Sequence, residues 1–195
     1  MRHGAWSMLG AVGVLLLTSG CVAIEAGHEG VMVEQPFFFG HGGVDPAPSK
    51  TGRVWVAPTT KVIEVDVRPL QYSEHFDIIS AENAPVSFDA FMIANVVESR
   101  SPELISRYGP NWYQNNVKEA FRTFVREEVQ RYPLFQLTTD PTTRTKLQDA
   151  IAREVQNKLI DKQNMPIRLN RVVVGSILPP KGVVEQTTQT IVQEQ

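Results

Sequence analysis

The chain has 195 residues, with 19 Lys+Arg against 21 Asp+Glu and a formal net charge of −2. That length holds one substantial domain, or a domain with an appendage, and its interspersed, slightly acidic charge lacks the basic stripe that nucleic-acid binding requires. A single cysteine, Cys21, excludes an intramolecular disulfide.

The N-terminus reads as an address. Arg2 and His3 precede an uncharged stretch from Gly4 to Ile24, and the small residues Ser19 and Gly20 stand before Cys21. A basic end, an apolar centre and small residues before a cut site are the parts of a secretory signal, here over residues 1–20. "LTSGC" also resembles the lipobox of bacterial lipoproteins, where cleavage precedes a cysteine that is then acylated; Leu17 stands one place earlier than usual. The alternative is an uncleaved anchor, since about 20 apolar residues span a bilayer. Either way the remaining chain faces the periplasm, and the choice between inner and outer membrane stays open.

Beyond the anchor, residues 24–34 carry a Gly turn and a short strand with Val31 and Val33 pointing one way. Residues 35–52, dense in Gly and Pro, read as a long loop. Two β segments follow over 53–69, then a turn at 81–85 and an alternating strand at 86–97, apolar on both faces towards its end, as expected of a central strand. The period changes after Pro110: Tyr113, Val117, Phe121, Phe124, Val125 and Val129 recur at helical spacing between Asn111 and Tyr132. A second helix starts at Asp140 as N-cap with Pro141 at its first position, and carries the stripe Leu147, Ile151, Val155 and Leu159. Residues 165–178 return to strand character, with Ile167, Leu169, Val172 and Val174 as core. The expected fold is α+β: a mixed, mostly antiparallel sheet with helices packed on one face.

No catalytic constellation emerges from motifs. The four histidines, His3, His28, His41 and His75, read as solvated loop residues without zinc-helix spacing. "GHGG" lacks the Lys-Ser/Thr of a phosphate loop, and no Gly-x-Ser-x-Gly elbow is present. Glu64, Asp66, Glu127 and Glu128 fall at surface-like positions, unpaired for acid–base work. The expectation is a non-enzymatic protein without metal or cofactor. Phe37, Phe38 and Phe39 in "PFFFG" either dip into the bilayer interface or plug the edge of the core.

Five segments in order, "GHEGVMVEQ", "VIEVDVRPLQY", "ISAENAPVSFDAFMIANVV", "YGPNWYQNNVKEAFRTFVREEVQRY" and "NMPIRLNRVVVGSILPPKGVVEQ", resemble successive blocks of the SPFH domain, also called band 7 or prohibitin-homology. The resemblance covers residues 27 to about 190 and places the domain at 35–180. It leaves 21–34 as anchor-proximal segment and first strand, and 181–195 as a short tail or the start of a helix. It implies a membrane-anchored scaffold that assembles with copies of itself and binds envelope proteins, a membrane protease or its substrates among them. It carries over no catalytic residue. Arg122, Arg126 and Glu127, on the charged helix face, become candidate subunit contacts, and Cys21 the lipidation site. Unlike most members, this sequence shows no sustained heptad after Gly182. The rival reading is a periplasm-facing enzyme or small-ligand-binding lipoprotein on the same fold.

Overall fold

Leu70 to Ile79 (β6) alternates strictly, with Glu74, Phe76 and Ile78 buried and their neighbours exposed. It turns at Ala81–Ala84, where Asn83 takes a left-handed φ of 58°, and returns as Pro85–Val96 (β7) in antiparallel register, with Phe76 opposite Phe88. A computed structural model describes residues 20–38, 42–48 and 51–177. Within it the chain divides into two compact units, one formed up to Arg68 and by Val96–Pro110, the other by Pro69–Asn95 and Asn111 onward. The fold is α+β, as the alternation and the helical stripes predict.

The first unit is built from short strands. Gly20–Ile24 (β1) pairs antiparallel with Gly52–Val56 (β4), Cys21 opposite Trp55 and Ala23 opposite Arg53. His28–Glu34 (β2) pairs antiparallel with Thr60–Asp66 (β5) on one side and with Gly43–Val44 (β3) on the other. The expected loop over 35–52 therefore contains a strand pairing, Val33 opposite Val44. The Gly turn lies where expected: His28 N–H donates to the Glu25 carbonyl at 3.1 Å and Gly27 sits at φ 82°, a conformation open to glycine without a Cβ penalty. Ser101–Tyr108 (α1) is an eight-residue helix missing from the sequence reading, with Pro102 in its first turn and Leu104 and Ile105 buried.

In the second unit β7 is the central strand, between β6 and Ile167–Val174 (β8). Its Phe88 stacks on Phe76 at 5.3 Å, and Phe121 meets Phe76 edge-on at 6.4 Å. Phe121 belongs to Lys118–Val129 (α2), entered through a π-helical turn at Tyr113–Val117. Leu134–Thr139 (α3) is a further short helix that the sequence did not signal. Pro141–Glu154 (α4) begins as expected, the Asp140 carboxylate accepting from Thr142 N–H at 2.9 Å, and continues as a π-helical segment to Asp161. All four residues of its predicted stripe are buried. β8 ends at Val174, short of the expected 178, and Leu169 is half-buried.

Removing the ring at the sheet–helix junction leaves a void that the neighbouring aromatics cannot fill. Phe121→Ala is expected to lower unfolding free energy by about 3–5 kcal/mol, whereas Phe135→Ala, at an α3 position 72% exposed, shifts it by less than about 0.5 kcal/mol. Denaturant titration of both variants checks the contrast.

Candidate functional site

Among the described residues, two buried carboxylates occupy core-facing strand positions, and a polar cluster lies on the exposed side of β6 and β7. In the first unit Glu29 of β2 is buried, and its carboxylate accepts from Ser99 N–H at 2.6 Å and from the Ser101 hydroxyl at 2.5 Å. These bonds occupy donors at the entrance to α1, where no side-chain cap is otherwise present. Ser99 itself holds a left-handed φ of 65°, so Glu29 ties a strained turn to the sheet. Nearby, Asp66 bonds Arg68 at 2.7 Å and lies 3.8 Å from His28 Nε2. The Arg68 side-chain hydrogen bond holds the Asp66 carboxyl below its usual range.

In the second unit Glu74 projects from β6 into the core row beside Phe76. Arg122 of α2 donates to it at 3.0 Å and to the His75 carbonyl at 3.1 Å, while lying 5.0 Å from the centre of the Phe76 ring. Lys118 stands 3.5 Å from the same carboxylate and the Tyr113 hydroxyl donates to it at 3.2 Å. Burial first, and the Glu74 charge second, push the Tyr113 phenol well above its usual range, so the hydroxyl keeps its proton as a donor. Tyr72 stacks on Tyr113 at 4.1 Å and meets Trp112 edge-on. The cluster leaves no free nucleophile or base; it is a bolt between helix and sheet.

The third cluster lies on the opposite face of β6 and β7. His75 Nδ1 is 2.8 Å from Asp89, and Nε2 lies 3.4 Å from the Ser87 hydroxyl and 3.5 Å from Asp77. The order Ser–His–Asp resembles a nucleophile chain, but its electrostatics differ. The ring is flanked by two carboxylates and more than half exposed. The Asp89 hydrogen bond, aided by the charges of Asp77 and Asp89, raises the His75 pKa. Its Nε2 is shared between the Ser87 hydroxyl and Asp77 at nearly equal distances, so the ring is not aimed at the serine alone, as a general base must be.

Several of these residues differ from what their sequence context predicts. His28 and His75 lie on strands rather than loops. Asp66 is paired, and Glu128 is buried and ion-paired to Arg131 at 2.8 Å. Cys21 is exposed in β1; Phe37 and Phe38 are 79% and 90% exposed after β2, and Phe39 falls outside the described residues. Arg126 and Glu127 are exposed on α2, whereas Arg122 turns inward to Glu74. No helix among the described residues is long and apolar enough to cross a membrane, and the uncharged run before Gly20 lies outside them. An open groove of about 320 Å³ in the first unit is lined by Val44, Pro46, Arg100 and Glu103 among others; its charged pair is self-satisfied at 2.7 Å.

The model of one protein family, described as SPFH domain / Band 7 family, matches residues 22–195. The chain belongs to that family. A search among curated proteins returned no match. SPFH domains are in general membrane-associated and occur in scaffold proteins, and the family is generally non-enzymatic. In this SPFH chain, the "VDVR" block contains the Asp66–Arg68 pair, and the Gly30–Val31 block places a glycine where an added Cβ would collide with Ile24.

The His75 cluster makes a direct prediction. In a proton-NMR titration the His75 imidazole has its midpoint above that of a free imidazole, and Asp89→Asn moves it down; an unmoved midpoint contradicts the pairing. Because the folded pKa is the higher one, the cluster's contribution to stability is complete below the unfolded pKa and is lost as pH rises through the folded value.

Proposed function

We propose that the chain is a membrane-anchored, non-enzymatic scaffold of the SPFH/prohibitin type, held on the outer side of a bacterial membrane through Cys21. It self-associates and binds envelope proteins, a membrane protease or its substrates among them. The observation that supports this most is positional: the family match begins at residue 22, directly after the cysteine that closes "TSGC". In this reading, cleavage before Cys21 leaves a chain that begins one residue ahead of the matched span. The exposed aromatics Phe37 and Phe38, with Phe39 beside them in sequence, serve as a further membrane contact in this reading.

The mechanism is confinement. A chain tethered to a surface meets its neighbours at a raised effective concentration, so weak lateral contacts suffice. The exposed Arg126 and Glu127 on α2 offer complementary charge for such contacts, which sets register more than affinity. Arg122 contributes through the rigidity it gives the helix rather than as a free charge.

The test is intact mass of the protein purified from membranes, beside Cys21→Ala, with native particle size from the same samples. The reading expects a chain beginning at Cys21 with added acyl mass, present in particles of many copies, and no acyl mass in Cys21→Ala. A full-length unmodified chain replaces the lipid anchor by the Gly4–Ile24 run. Monomeric particles overturn self-association.

A further inference from the structure

The β1–β4 ribbon has two unlike faces. Val22, Ile24, Val54 and Val56 are buried or half-buried, while Cys21, Ala23, Arg53 and Trp55 are exposed. The pairing register sets Cys21 opposite Trp55 and Ala23 opposite Arg53. Residues directly opposite in an antiparallel pair project to the same face, with Cβ atoms about 5 Å apart, and the period of two carries Arg53 to the face that holds Trp55. Cysteine, indole and guanidinium therefore share one open surface. Trp55 is 74% exposed, and among the described residues Arg53 has no ion-pair partner.

One exposed aromatic is ordinary on a soluble surface. This one is distinguished by where the chain meets its anchor. The uncharged run that starts at Gly4 ends within β1, and Cys21 lies on the exposed face of that strand, so an acylated Cys21 brings the bilayer to this ribbon. A surface held there by its own chain faces lipid headgroups, and its composition suits them. Tryptophan concentrates at the membrane–water interface, where its body is apolar and its N–H is hydrated, and a basic side chain is attracted to anionic lipid phosphates.

We propose that the exposed face of the β1–β4 ribbon is an interfacial membrane contact, in which the Trp55 indole lies among the headgroups of anionic phospholipid and Arg53 pairs with their phosphates. The inference rests on the membrane-anchored reading above and adds an orientation to it. The anchor fixes the ribbon at one point, Trp55 and Arg53 make a second contact, and the first unit is held against the bilayer instead of swinging on its tether.

The test uses the protein purified from membranes and reconstituted into vesicles of phosphatidylethanolamine with phosphatidylglycerol, carrying a nitroxide quencher near the headgroups or deep in the acyl chains. The Trp55 signal is the fluorescence difference between the native protein and Trp55→Tyr, with circular dichroism confirming that both are folded. The expected result is strong quenching of that difference by the shallow probe and weaker quenching by the deep one. Arg53→Glu is expected to reduce the shallow quenching by about twofold or more in anionic vesicles and to leave it unchanged in phosphatidylcholine vesicles. Flotation of the same samples separates the two failures. Protein that floats with its Trp55 signal unquenched, or with Arg53→Glu quenched like the native chain in anionic vesicles, overturns the interfacial contact alone. Protein that does not float overturns the membrane-anchored reading and this inference with it.

Discussion

A carboxylate on the core-facing row of a β-strand must be neutralised where it stands, and Glu74 is that constraint in the second unit. Its neighbours in the row are Phe76 and Ile78, so an isolated charge there costs several kcal/mol in lost hydration. Arg122, Lys118 and Tyr113 all reach it. Tyr113 lies in the π-helical turn and Lys118 and Arg122 in α2, so one acidic residue sets both the rotation and the height of that helix over the sheet. Phe121 then meets Phe76 edge-on, and Arg126 and Glu127 are left facing water.

The first unit solves a similar problem with a different geometry. Glu29 is also buried on a strand, but its partners are a backbone N–H and a hydroxyl at the turn into α1. Ionic pairing locks a helix face in the second unit; hydrogen bonding closes a helix end in the first. Both devices spend acidic residues on architecture. Other polar chemistry among the described residues is exposed, at the β1–β4 ribbon, along α2 and around His75 on β6 and β7.

Much of this was legible in the sequence where periodicity and caps are strong. The Leu147–Leu159 stripe, the Asp140 cap and the alternation of β7 each follow from a single local rule, and the structure obeys it. The family was legible too, in five ordered blocks. The losses have physical causes. β6 gives no clear period of two because Glu74 interrupts its apolar row, and the partners that make Glu74 tolerable lie 39 to 48 residues away. α1 and α3 are too short, at eight and six residues, for a helical period to show. β3 is two residues within a Gly/Pro-rich stretch, stabilised by its pairing with β2. Among the candidate site residues, Arg122 resembles Arg126 because the two lie one turn apart on the same side of the helix, and only the Glu74 carboxylate and His75 carbonyl beneath Arg122 draw it inward.

That decision can be measured as a coupling between the two residues. Unfolding free energies of Glu74→Gln, Arg122→Met and the double variant form a thermodynamic cycle. The Glu74 bolt predicts a coupling of at least about 0.5 kcal/mol between them, and up to about 3, with the second substitution costing less once the first is present. Strictly additive losses would contradict it, and would return Arg122 to the solvated face along with Arg126 and Glu127.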